Sequence, residues 1–314
     1  MKNIQRGDIQ IISRHSDLTE QGVDRVLRQD VYNDNESWQK FFRLFIISLG
    51  VGFTVAGIVF FFAYNWADLH KFVKIGLTQG VIIATTIVTL LPKINDNLRN
   101  VILTGAVVLI GVLFAVFGQI YQTGANAYDF FLAWTIFVTI WVLVSKFSPL
   151  CLLYLVLINT TFILYSQQVA KDWSEVFICF LLFIFNIAVL ISTIYFGKKK
   201  IPNWFLNTVA LASSIYATIG IVTGIFDKHQ TTFSILILLT AIVFALGIWY
   251  GLKTKSGFYL SVIPFSLIII VSALLIKISD GEMMFLLVSL FIIGSVTLTI
   301  KNLMDIQKKW ANEK

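Results

Sequence analysis

The chain has 314 residues, 57% of them hydrophobic and 13% charged, with a formal net charge of +7. Soluble domains carry about 25% charged residues, so this composition, with a mean hydropathy of +0.83, excludes a water-soluble protein and predicts an all-α integral membrane protein. The basic residues sit in loops and tails rather than among exposed aromatics, which argues against nucleic acid as a partner and for membrane lipid.

Residues 1–43 are polar and nearly charge-balanced, and the start MKNIQRGDIQ shows no basic-then-apolar leader and no cleavage site. Asp17-Leu18-Thr19-Glu20 has the spacing of a capping box, opening a helix through Leu27 with Leu18, Val23, Val26 and Leu27 along one side. With IQIISRH before it, this predicts a short amphipathic helical hairpin in the cytoplasm. It either rests on the membrane and loops or engages a protein partner.

Apolar runs near the roughly 20 residues needed to cross a bilayer then recur. They predict a polytopic bundle over 44–300, with spans at about 44–64, 72–91, 99–118, 129–145, 149–166, 175–196, 204–226, 231–251, 257–276 and 282–300, and a basic tail over 301–314. Lys and Arg accumulate on the cytoplasmic side of a membrane. A cytoplasmic N-terminus puts Lys93, Arg99, Lys146, Lys198, Lys199, Lys200, Lys253 and Lys255 in the inner loops, and Lys71, Lys74, Lys171, Lys228 and Lys277 outside. With Lys40, Arg43, Lys301, Lys308, Lys309 and Lys314 at the ends, the ratio is fourteen to five, so both termini are expected in the cytoplasm of a bacterial inner-membrane protein. The outer loops are the acidic ones, with Asp68, Asp129, Asp172, Glu175, Asp227, Asp280 and Glu282, and Tyr64, Trp66, Tyr121, Tyr128 and Trp173 cluster at outer span ends as interfacial anchors.

Three pairs of glycines one helical turn apart, Gly76/Gly80, Gly220/Gly224 and Gly247/Gly251, are candidates for close backbone approach between helices. A weak echo links residues 57–65 and 111–119, which share a Gly, two aliphatics, a Phe and a terminal carboxamide. It fits either a parallel duplication or chance in so apolar a chain.

No Asp, Glu, Lys, Arg or His falls in the middle of a proposed span, which disfavours proton relays and ion-coupled pumping. Gln79, Asn159, Thr160, Thr161 and Asn186 are the deep polar groups, suited to hydrogen bonds with neighbouring helices. Cys151 and Cys179 lie in apolar runs as small buried residues. Metalloprotease, serine-hydrolase and P-loop motifs are missing, and His15, His70 and His229 are dispersed, so the sequence calls for no metal, no cofactor and no catalytic residues. An acid-base pairing of His70 or His229 with Asp68, Asp227 or Glu282 would depend on the fold.

Two polar stretches leave the membrane on the same outer side, Tyr64-Asn65-Trp66-Ala67-Asp68-Leu69-His70 after the first span and Gly118-Gln119-Ile120-Tyr121-Gln122-Thr123-Gly124-Ala125-Asn126 after the third. Backbone leaving a helix needs carboxamides, hydroxyls and turn glycines for structural reasons. A binding pocket wants the same residues beside aromatic faces. Asn65, Trp66, Gln119, Tyr121 and Gln122 are therefore the candidate ligand-binding residues, with Asp68 and Asp129 at the rim.

Phe62-Ala63-Tyr64-Asn65-Trp66 and Gly118-Gln119-Ile120-Tyr121-Gln122-Thr123-Gly124 resemble the bacterial predicted-membrane-protein family known as domain of unknown function 2157, over roughly residues 10–145. That resemblance implies a polar N-terminal helical region ahead of membrane spans, and it implies no activity. Three functions fit the sequence. The first is an outward-facing pocket that binds or transports a small polar molecule or lipid headgroup. The second is a non-catalytic scaffold or regulator with membrane or cytoplasmic protein partners. The third is an intramembrane enzyme acting on a lipid-linked substrate through outer carboxylates.

Overall fold

The computed structural model describes residues 19–27, 35–64, 70–92, 94–121, 124, 126–196, 201–227, 231–278 and 283–312. All regular elements among them are helices: α1 (Glu20–Val26), α2 (Asn35–Tyr64), α3 (Lys71–Leu90), α4 (Asp96–Tyr121), α5 (Ala127–Ser145), α6 (Ser148–Gln168), α7 (Glu175–Phe196), α8 (Asn203–Phe226), α9 (Thr231–Lys253), α10 (Gly257–Ile278) and α11 (Met283–Asn312). Ten of these, α2 to α11, are long and apolar enough to cross a membrane. A bilayer leaves no water for backbone groups, so each span must satisfy its own N–H and C=O groups, and a helix does so within the segment.

The ends of the helices follow local chemistry. Thr19, rather than Asp17, is the N-cap of α1, its hydroxyl accepting the Gly22 N–H at 3.3 Å. The first arm of the expected helical hairpin, IQIISRH, lies outside the described residues. Helix α2 begins at Asn35 instead of 44, and α11 runs to Asn312 instead of 300. Both extensions are amphipathic enough to continue helically past the apolar span. In α11, Leu303, Ile306 and Trp310 form a half-buried stripe at three- and four-residue spacing. Pro202 stands at the N-cap of α8, where a missing N–H costs nothing.

The chain divides into two compact units, the first reaching Leu164 and the second running from Tyr165. In the first, α4 is the central helix, in contact with α2, α3 and α5. It buries Ala106, Val107, Leu109, Ile110 and Val116, and Val107 and Ile110 join Val138 and Val142 of α5 and Leu150 and Leu157 of α6 in one apolar cluster. Gly105 and Gly111 make that closeness sterically possible. A Cβ at Gly111 would lie 2.6 Å from the Trp134 indole, and one at Gly105 would lie 2.5 Å from Val51 Cγ1. The indole Nε1–H crosses from α5 to the Val107 carbonyl at 2.8 Å. Arg99 closes the α3–α4 corner, donating to the carbonyls of Thr89 (2.9 Å), Leu91 (3.5 Å) and Ile94 (3.5 Å) while pairing with Asp96 at 2.9 Å.

In the second unit α8 is the central helix, touching α7, α9 and α10, with its longest contact along α7. Val176 and Phe183 of α7, Ala217, Ile221 and Ile225 of α8, Leu236 of α9 and Ala273 of α10 form its apolar core. Here the glycine pairs pack as expected. A Cβ at Gly220 would meet Cys179 Cβ at 2.7 Å, one at Gly224 would strike the Phe233 ring, and one at Gly247 would meet Ile263 Cδ1 at 2.6 Å. Gly76 and Gly80, in contrast, have nothing within 4 Å of such a Cβ. They lie on the outward side of α3, and the expectation of a contact there is corrected.

Candidate functional site

The sequence pointed first to the stretch leaving α4. Gln119 and Tyr121 are exposed in the last turn of that helix, with the Tyr121 ring 4.5 Å from Phe117. Gly124 has φ +62°, a left-handed turn that suits glycine. Asp129 is half-buried, and its carboxylate accepts the Asn126 N–H at 3.1 Å, which satisfies the start of α5. Asn65, Trp66, Asp68 and Gln122 lie outside the described residues. Among the described members of this group, then, Asp129 has a local helix-capping role, and Gln119 and Tyr121 present their side chains outward.

The deep polar groups of the first unit are bonded to one another or to their own helix. Asn159 Nδ2 donates to the Leu155 carbonyl at 2.9 Å, Thr139 pairs with Tyr154 Oη at 2.9 Å, and Thr135 meets Thr161 at 3.4 Å. Gln79 is exposed. In the second unit Asn186 is 1% exposed and donates to the Leu182 carbonyl at 2.8 Å. Of the histidines only His70 is described; it is exposed at the N-cap of α3 with its ring 5.4 Å from Phe72. No group of three His, Cys, Asp or Glu that could hold a metal occurs among the described residues.

The second unit contains a larger feature that the sequence did not single out. A cavity of about 980 Å³ lies between α8, α9 and α10. Its walls are apolar, with Ile237, Phe244, Leu267, Ile270 and Leu274 among them, and its polar lining comes from Asp227, Ser234, Thr240 and Lys277. Helix geometry orders these groups. Asp227 is the C-cap of α8, Ser234 is in the first turn of α9 and Lys277 is in the last turn of α10, so all three belong to one end. Thr240 is six residues beyond Ser234 on α9, about 9 Å deeper at 1.5 Å per residue.

Lys277 Nζ donates to the Ile225 carbonyl, one of the carbonyls that a helix end leaves without an intrahelical partner. Asp227 shares no ion pair with it among the described residues. Thr240 is 2% exposed and its hydroxyl has no hydrogen-bond partner there. That is unusual for this chain. Thr78, Thr135, Thr139, Thr161 and Thr218 each donate to the carbonyl four residues earlier, the ordinary solution for a hydroxyl in an apolar helix. A signal was present in the sequence, since Thr240 is the single hydroxyl in the middle of the otherwise apolar α9. Lys277 was visible only as a loop charge, and Asp227 as one of the carboxylates considered beside a histidine.

A smaller cavity of about 180 Å³, lined by Ser213, Tyr250, Tyr259 and Ile263 among others, contains a second buried hydroxyl without a partner, that of Ser213.

Helices of this length and apolarity, with buried polar groups satisfied mostly within their own spans, define a polytopic all-α membrane protein. Residues 18–151 match the family model described as "Predicted membrane protein (DUF2157)". The match covers α1 to α5 and the beginning of α6, and it bears out the resemblance drawn from the two polar motifs. No curated protein matches the chain. No solved structure matches it either.

Proposed function

We propose that the protein is a binding protein of the bacterial cytoplasmic membrane, with both termini inside, that takes a lipid headgroup or small polar molecule at the outer ends of its helices and holds it or moves it across. The observation that carries this reading is the α8–α9–α10 cavity, whose charged end and apolar walls match a molecule with a polar head and an apolar body. Its charged end falls on the side that the count of basic residues assigns to the exterior. The polar and aromatic stretches around Asn65, Trp66, Gln119, Tyr121 and Gln122, with Asp68 and Asp129 at the rim, supply similar chemistry in the first unit. The exposure of Gln119 and Tyr121 supports that second place.

The test is mass spectrometry of the protein released intact from its own membrane in mild detergent. A retained small molecule or lipid that Phe244→Trp displaces supports the reading, because a larger ring fills the cavity. Release of bare protein, or retention that ignores Phe244→Trp, refutes it. Cysteines placed at Asn126 and Lys199 are expected to label from opposite sides of the membrane, and labelling of both from outside refutes the orientation.

A scaffold role is favoured by a separate observation. Trp38, Phe41, Phe42 and Phe45 form an exposed aromatic ladder at the start of α2, with successive ring centroids 5.6–6.0 Å apart. A membrane or cytoplasmic protein partner would cover it. Crosslinking from Trp38 to another protein supports this role, and crosslinking to lipid alone argues against it.

A further inference from the structure

We propose that the α8–α9–α10 cavity is a site for a zwitterionic lipid, its phosphate on Lys277, its ammonium on Asp227 and its chain along the apolar walls. The inference rests on the binding reading given above and names the ligand class. Two features carry it.

The first is the arrangement of charge. Asp227 and Lys277 line one cavity from the ends of two different helices, yet make no ion pair with each other. An ammonium has three donors, and Lys277 uses one on the Ile225 carbonyl, leaving two for an anion. A carboxylate at the C-terminal end of a helix faces the negative end of the dipole, so Asp227 is poorly placed unless a cation joins it. No described cation does so. Two exposed opposite charges that line one end of the same cavity without an ion pair between them complement a molecule that carries both signs.

The second is the order of polarity along the cavity. The charges and Ser234 stand at one end, and the walls beyond them are Ile237, Phe244, Leu267 and Ile270. A headgroup and an acyl chain follow in the same order. A free zwitterion would leave the apolar walls bare. A volume of about 980 Å³ is at the upper end of the roughly 300–1,000 Å³ typical of small-molecule sites.

The experiment measures retention of chain-matched phosphatidylethanolamine, phosphatidylcholine and phosphatidylglycerol by the full-length protein, using native mass spectrometry. Wild type is expected to prefer phosphatidylethanolamine over the other two by about tenfold, the scale of one charge-assisted hydrogen bond. Asp227→Asn is expected to erase the preference over phosphatidylglycerol, and Lys277→Gln to weaken all three phospholipids. Unaltered melting of each variant in detergent separates these effects from misfolding, and Ser234→Ala serves as a second cavity variant that leaves all charges in place.

Equal retention of the three headgroups, or an Asp227→Asn protein with wild-type selectivity, overturns the assignment while leaving lipid binding intact. Retention of no lipid at all overturns the binding reading with it. Displacement of the lipid by free phosphoethanolamine at matched concentration overturns the lipid assignment in favour of a soluble zwitterion.

Discussion

The two units differ in how completely they satisfy their polar groups. In the first, the polar residues are closed on themselves: Trp134 on Val107, Thr139 on Tyr154, Thr135 on Thr161, Asp129 on Asn126. In the second, Asn186, Thr218 and the Ser214–Ser266 pair are bonded likewise, but three buried hydroxyls, Ser213, Thr240 and Ser272, have no partner among the described residues. A site is therefore marked less by the density of polar residues than by polarity that the fold leaves unsatisfied beside a void. The segment richest in carboxamides begins with exposed side chains and ends in a helix cap, whereas the α8–α9–α10 cavity is lined by residues that looked ordinary in the sequence.

The comparison is tested most severely by packing. Replacing Gly220 or Gly224 by Leu is expected to lower stability by about 1–3 kcal/mol or more through overpacking, since the added atoms meet Cys179 Cβ and the Phe233 ring. The same change at Gly76 or Gly80 is expected to leave the melting temperature in detergent unaltered, because the space there is open. Equal losses at all four would erase the distinction between the glycine pairs. Next in size is Trp134→Phe, which removes the bond to Val107 and also the outer indole atoms over Gly111. A loss of at least about 1 kcal/mol is expected, measurable by denaturant unfolding, and no loss would show that the first unit's network is not closed at that point.

Asp129→Ala sharpens the contrast between capping and binding. It is expected to cost about 0.5–2 kcal/mol as a lost cap, and to do so whether or not lipid is added. A destabilisation that appears only with ligand present would return Asp129 to the binding group. The smallest effect has the opposite sign. Ser213→Ala removes a buried hydroxyl with no partner, so the lipid-free protein is expected to gain up to about 1 kcal/mol, read as a higher melting temperature.

Much of the fold was legible from the sequence. Ten apolar runs gave ten helices, and the α7 limits, 175 and 196, coincide with the observed Glu175–Phe196. Apolar length sets a span, but it does not set where a helix stops. Helices α2 and α11 continue because amphipathic residues beyond the membrane remain good helix formers, which a hydropathy reading ignores. The glycine pairs were half legible for a related reason. A four-residue spacing puts two glycines on one face without saying whether that face meets a helix or lipid, and Gly105 and Gly111, six apart, were missed though both are under a neighbour's side chain. The polar stretch after α4 was located correctly as a helix end. The cavity was not legible, because Thr240 differs from Thr218 only in lacking the bond to the carbonyl four residues earlier, and Asp227 and Lys277, fifty residues apart in the chain, come to line one cavity only once α8, α9 and α10 are assembled.

Arg99 has a consequence for the α3–α4 corner. The sequence counted it only as a loop charge, yet in the fold its guanidinium caps the carbonyls at the end of α3 and pairs with Asp96. Lysine would keep the charge and lose the clasp, since a point charge cannot reach three carbonyls and a carboxylate together. The two helices are thus fastened at their joint by the shape of one side chain rather than by its charge.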